Sequence, residues 1–100
     1  MPPRLLTPAE IDLQLTKLPG WTSDGEALHR STKAPDFLTG IRLVAAVAER
    51  AELMNHHPDI DIRWRTIRFR CHTYVSKGVT RYDIELARNI DTAITEHGGT

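Results

Sequence analysis

At Pro58 the hydrophobic rhythm of the chain changes. Before it, "PDFLTGIRLVAAVAERAELMN" repeats apolar residues at spacings of three and four: Phe37, Ile41, Val44, Ala48, Ala51 and Met54, with Leu38 and Val47 widening the stripe. That period belongs to an amphipathic helix with one buried face. After it, "DIDIRWRT" sets Ile60, Ile62 and Trp64 against Asp61, Arg63 and Arg65. "IRFRCHTYV" then sets Ile67, Phe69, Cys71, Thr73 and Val75 against Arg68, Arg70, His72 and Tyr74. Alternation of this kind belongs to half-buried strands. Proline has no amide to continue a helix and restricts the residue before it, so the helix has to end near His57. A chain of 100 residues that switches period in this way has room for one core, shared between helices and a sheet.

The flanking segments supply the other elements. Thr7, Pro8 and Glu10 make a capping-box start for a helix running to about Lys17, stopped by Pro19 and Gly20. Trp21 to Ser23 and Ala27 to Thr32 flank an Asp24-Gly25 turn and predict a hairpin. Thr80 and Asp83 form a second capping box, ahead of a stripe of Ile84, Leu86, Ala87, Ile90 and Ile94 that ends at "HGG". The order helix, two strands, helix, two strands, helix predicts an α+β fold: a four-stranded antiparallel sheet with three helices packed on one face, residues 1–100 forming a single domain. The other sheet face would carry Arg68, Arg70, His72 and Tyr74. A wide apolar stripe and open sheet edges predict self-association.

Charge and cysteine content exclude several partners. Acidic and basic residues balance at 13 each, so no uniform field favours nucleic acid or an anionic membrane. Cys71 is the only cysteine, which rules out an internal disulfide and a multi-thiolate metal site and fits a reducing compartment. No apolar run has the length of a secretion signal or approaches the roughly 18 residues of a membrane span. The expectation is a cytoplasmic protein with neither nucleic-acid nor membrane partner.

The boundary at Pro58 also carries a motif. Glu52 stands four residues before the triplet His56-His57-Pro58, Trp64 follows after five more residues, and Gly78, Thr80, Asp83, Leu86 and Ala87 match G-x-T-x-x-D-x-x-L-A. In these features the chain resembles the pterin-4a-carbinolamine dehydratases, also known as dimerisation cofactors of a homeodomain transcription factor. The motifs cover the C-terminal half, and the element order extends the likeness over nearly the whole chain. Members usually carry a third histidine ten positions after the aromatic; here that position is Tyr74, with His72 two residues earlier on the same predicted strand face.

The resemblance implies dehydration of a 4a-hydroxytetrahydropterin to a quinonoid dihydropterin and water, with no metal or redox cofactor, by a homodimer or homotetramer. The alternative on the same fold is a non-catalytic pterin-binding or protein-interaction module; the transcription-factor role belongs to animal members and is not carried over. The reaction needs a proton delivered to the departing hydroxyl and another removed from the ring, and imidazole offers acid and base forms near neutrality. The implied roles are His56 as proton donor, His57 as binding and proton-relay partner, and Glu52, one helical turn earlier, as the group that orients His56. Pro58, Trp64, His72, Tyr74 and Asp83 are the implied substrate contacts.

Each of these residues also has a plainer reading. Histidine at a helix C-terminus complements the macrodipole, and Asp83 completes a capping box. Parity with Ile60 and Ile62 puts Trp64 in the core, the strand arginines read as a solvated face, and Cys71 as an inert small hydrophobe. A metal site from His56, His57 and Asp59 or Asp61 lacks the usual i, i+4 histidine spacing.

Overall fold

Two short polar signals start the first and last helices. Thr7 Oγ1 accepts from the Glu10 amide at 3.1 Å while Glu10 accepts from the Thr7 amide at 2.9 Å, so α1 (Pro8–Leu15) opens on a closed capping box with Pro8 in its first turn. Arg4 donates two 2.8 Å bonds to the same carboxylate. Those bonds, with that of the Thr7 amide, hold the Glu10 carboxyl down at about 2. Helix α1 stops at Leu15, short of Lys17, because its last turn tightens: the amides of Lys17 and Leu18 bond the carbonyls of Gln14 and Leu15, three residues back.

Asp24 and Gly25 turn β1 (Trp21–Ser23) into β2 (Leu28–Lys33), as expected. Asp24 Oδ1 accepts from the amides of Glu26 and Ala27, both at 2.9 Å, and Gly25 takes a φ of +91°. Helix α2 (Phe37–Met54) begins on Asp36, which accepts from the Thr39 amide at 2.7 Å. Two more strands, β3 (Asp59–Arg63) and β4 (Thr66–Cys71), precede α3 (Arg81–Glu96), whose cap is Thr80 and whose capping box is closed by Asp83.

The computed structural model describes residues 1–100, with every strand pair antiparallel and the spatial order β1-β2-β4-β3. One cross-strand row aligns Trp21, Arg30, Phe69 and Ile60, and another aligns Thr32, Ile67 and Ile62. Phe69 and Ile67 from these rows pack against Leu43, Val47 and Ala51 of α2, Ile84, Leu86 and Ile90 of α3, and Ile11 of α1. Fully burying a side chain such as Phe69 or Ile67 contributes about 1.5–3 kcal/mol. The opposite face aligns Thr22, His29, Arg70 and Asp59, then Ser31, Arg68 and Asp61. The fold is α+β, with its helices on one side of the sheet.

Three expectations need correction. The buried stripe of α2 is Gly40, Leu43, Val47 and Ala51, while Phe37, Leu38 and Ile41 are exposed at 50%, 57% and 38%, and Ala48 is exposed too. Helix α2 is apolar around most of its circumference, so more than one line of three-and-four spacing can be drawn along it. Packing selects the line containing Gly40, where a Cβ would lie 3.2 Å from Ile67 Cδ1 and 3.3 Å from Ala34 Cβ; the missing side chain lets helix and sheet approach.

Trp64 is not in the core. Strand β3 ends at Arg63, and Trp64 sits in the two-residue turn to β4 with φ at 52°, so strand parity no longer governs it; it is 72% exposed, with the Arg65 guanidinium 5.1 Å from its ring centroid. Nor does β4 reach Val75. It ends at Cys71, Thr73 and Gly78 bridge across a tight loop, and a 3₁₀ turn occupies Tyr74–Ser76. Tyr74 is therefore off the sheet and 84% exposed.

Two measurements check this account. Leu43→Ala should cost about 2–5 kcal/mol in urea denaturation and Ile41→Ala about 1 or less; equal losses would contradict the assigned face of α2. The carboxyl of Glu10 lies below its ordinary value of 4.5, so its contribution to stability is present above about pH 4.5 and lost as pH falls through about 2. Glu10→Gln should melt below the unaltered chain at pH 7, and the gap should close across that window.

Candidate active site

The end of α2 redirects the histidine pair. Asn55 takes the left-handed conformation at φ 51°, its amide bonding the Glu52 carbonyl at 3.1 Å while the His56 amide bonds that of Ala51 at 3.1 Å. This is a Schellman turn with asparagine in the position glycine usually takes. The reversal carries His56 out of helical register with Glu52, and its ring meets the start of α3: His56 Nε2 lies 2.6 Å from Asp83 Oδ1. Glu52 instead faces His57, at 3.3 Å, with both side chains exposed. The expectation that Glu52 orients His56 is thus corrected: the carboxylate beside His56 is Asp83.

Asp83 is completely buried. An ionised carboxylate without water needs hydrogen-bond donors on both oxygens. Here Oδ2 accepts from the Thr80 amide and the Thr73 hydroxyl, each at 2.8 Å, and the hydroxyls of Thr73 and Thr80 lie 2.6 Å apart. Because a carboxylate accepts, the His56 nitrogen facing Oδ1 carries a proton. That leaves Nδ1, without a partner in the protein, as the nitrogen open to proton exchange.

His56, His57, His72 and Tyr74 line one open cleft of about 610 Å³, with Asn55 and Tyr82 completing the wall beside the pair. The Tyr82 ring stands tilted 6.0 Å from that of His56, under the Arg81 guanidinium at 4.9 Å. Tyr82 carries no motif signal and was missed in the sequence. His72 Nδ1 is 3.0 Å from Arg70, which also donates to Asp59 at 3.2 Å. The structure therefore gathers four of the eight sequence-predicted residues on the cleft, sets Asp83 behind His56, and leaves Glu52 beside His57.

Pro58 leads into β3 without lining the cleft, and Trp64 lies at the other end of that five-residue strand, roughly 16 Å along. A depression of about 590 Å³ on the open sheet face, beside His29 and Arg68, contains none of the eight. Burial first, then the charges of Asp83 and Asp59, push the Cys71 thiol up, away from the reactive thiolate. No group of three His, Cys, Asp or Glu side chains converges as metal ligands would, and no helix is long and apolar enough to cross a membrane.

Residues 4–93 match the family model described as pterin 4 alpha carbinolamine dehydratase. A Mycobacteroides abscessus protein named "Putative pterin-4-alpha-carbinolamine dehydratase" is 49% identical over 90 residues, covering 90% of this chain and 96% of its own. A Mycobacterium tuberculosis protein of the same name is 51% identical over 87 residues, covering 87% and 93%. Among solved structures, the Brucella melitensis protein titled transcriptional coactivator/pterin dehydratase superposes with a TM-score of 0.86 at 35% identity, over 90% of this chain and 98% of that one. The chain belongs to the pterin 4 alpha carbinolamine dehydratase family.

Asp83→Asn keeps the shape but places an amide against donors. It should cost about 1.5–3 kcal/mol in urea denaturation, and a change below about 0.5 would mean the buried bonds contribute little to the fold.

Proposed function

We propose that this chain dehydrates a 4a-hydroxytetrahydropterin, releasing water and a quinonoid dihydropterin, and that His56 protonates the departing hydroxyl. The observation that carries this reading is the buried Asp83 carboxylate holding His56 by one nitrogen at the wall of a cleft shared with His57 and His72. Family membership supports the same chemistry.

In the proposed step the bond from carbon 4a to oxygen breaks with its electron pair leaving on oxygen, which takes the proton from His56 Nδ1 and departs as water. A ring nitrogen loses its proton, and the electron pair so freed forms the new double bond to carbon 4a. No atom is oxidised or reduced overall, so the reaction asks for no redox group. Asp83 accepts from the opposite edge of the His56 ring throughout and keeps its orientation. His57, facing solvent beside Glu52, binds the substrate and relays the second proton.

Tyr74 replaces the third imidazole with a phenol, a weaker donor that cannot carry positive charge. Because carbon 4a is a stereocentre, the proposed enzyme favours one epimer. The same reading takes residues 1–100 as one domain acting in the cytoplasm as a homodimer or homotetramer. Exposed Phe37, Leu38 and Ile41 on α2 supply apolar surface for such association.

The test is dehydration of freshly generated 4a-hydroxytetrahydropterin, each epimer followed separately, with and without chelator. The unaltered chain should turn over in both conditions, and His56→Ala should lose on the order of 10²- to 10⁴-fold in rate while keeping its circular dichroism. Near-full turnover by that variant would remove His56 as donor. Pterin binding without turnover by the unaltered chain would establish the alternative, a non-catalytic module on the same fold.

A further inference from the structure

The dehydratase reading leaves open what His72 does, and its surroundings differ from those of His56 in one respect. His56 faces a carboxylate, which only accepts hydrogen bonds. His72 Nδ1 faces the Arg70 guanidinium at 3.0 Å, and a guanidinium only donates. The acceptor in that contact has to be the bare lone pair of Nδ1. In a neutral imidazole the proton then resides on Nε2, which makes no hydrogen bond within the protein, while the ring lines the cleft shared with His56 and His57.

An imidazolium at this position would put one N–H against another at 3.0 Å and set two cations side by side, so charging the ring requires breaking the contact. Arg70 is held in turn. Asp59 stands directly opposite it in the β3–β4 ladder and accepts from the same guanidinium nitrogen at 3.2 Å. Asp59 follows Pro58, so the segment that carries the histidine pair also supplies the anchor for Arg70.

We propose that Arg70, anchored by Asp59, locks His72 as a neutral imidazole with its proton on Nε2, so that His72 serves this chain as a hydrogen-bond donor to an oxygen of the pterin and not as an acid. Arg70 and Asp59 are positioning residues acting through that ring. This rests on the dehydratase reading for the identity of the substrate, but the state of the ring can be measured without substrate. The cleft then holds two imidazoles of different function: His56 exchanges a proton, and His72 holds an oxygen in place while that exchange occurs. A donor of this kind does not depend on titration, so an amide can replace it.

The experiment combines side-chain ¹⁵N–¹H spectra of the full chain at pH 7, with the His72 signals assigned by their loss in His72→Gln, and turnover of both epimers. Expected are a protonated Nε2 and a bare Nδ1 on His72 in the unaltered chain, and a mixture of tautomers or the charged ring in Arg70→Met at unchanged melting temperature. His72→Ala should lower kcat about three- to tenfold, the scale of one neutral hydrogen bond, and His72→Gln should recover most of that loss. A His72 protonated on Nδ1 in the unaltered chain overturns the lock. So does a folded His72→Gln as slow as His72→Ala, because a titrating acid is not replaced by an amide. No turnover of either epimer by the unaltered chain would instead sink the dehydratase reading, and the bond to substrate with it, whatever the spectrum gives.

Discussion

The carboxylate of Asp83 is the point on which the fold and the cleft both depend. It has no exposure to solvent, and a charge so placed is tolerated only when its partners come with the fold. Those partners arrive from three parts of the chain: Thr80 from the cap of α3, Thr73 from the loop after β4, and His56 from the turn after α2. One oxygen closes the capping box and receives the Thr73 hydroxyl; the other is left for the imidazole. The group that caps the helix is therefore also the group that orients the ring. One oxygen serves the cap and the other meets His56; buried and off the cleft wall, Asp83 stands behind His56 and is not placed as the substrate contact the family resemblance implied.

The three imidazoles on the cleft differ less in themselves than in what stands behind them. A buried acceptor behind His56 keeps one nitrogen protonated and leaves the other to exchange. A solvated carboxylate stands beside His57, in an exposed pair of the sort that contributes little energy. A donor behind His72 requires the opposite tautomer. Neighbours that impose different states on chemically identical side chains are a general route by which one site divides acid, base and binding roles among them.

What could be read from the sequence was whatever acts locally. Thr7 with Glu10 and Thr80 with Asp83 are three residues apart, so their spacing alone states the capping geometry, and the Asp24-Gly25 turn is equally short-range. The contact of His56 with Asp83 spans 27 residues, and no period in the sequence encodes it. Helical spacing pairs Glu52 with the wrong histidine because it runs two residues past the helix end at Met54: left-handed Asn55 breaks the i, i+4 relation just where His56 would have used it. Trp64 misled for the same kind of reason, since a two-residue turn interrupts strand parity. On α2 the difficulty is excess of signal, with apolar residues around most of the helix and a glycine, Gly40, on the face that meets the sheet.

The same distinction between tied and free residues bears on Tyr74. Asp83 cannot be exchanged for another residue without disturbing a buried network that also starts α3, and His56 is held by that network through the other oxygen. Tyr74 lies on an exposed 3₁₀ turn, between Thr73, which is anchored to Asp83, and Gly78, which closes the loop by bonding back to Thr73. The loop's position is fixed from its ends, and the side chain at its crest faces the cleft and solvent, not the core. Substitution there alters what a ligand meets while leaving the packing of the sheet and helices alone. A tyrosine in place of histidine at this position is thus a change the fold can absorb, and under the proposed dehydratase reading its effect falls on the cleft and not on the core.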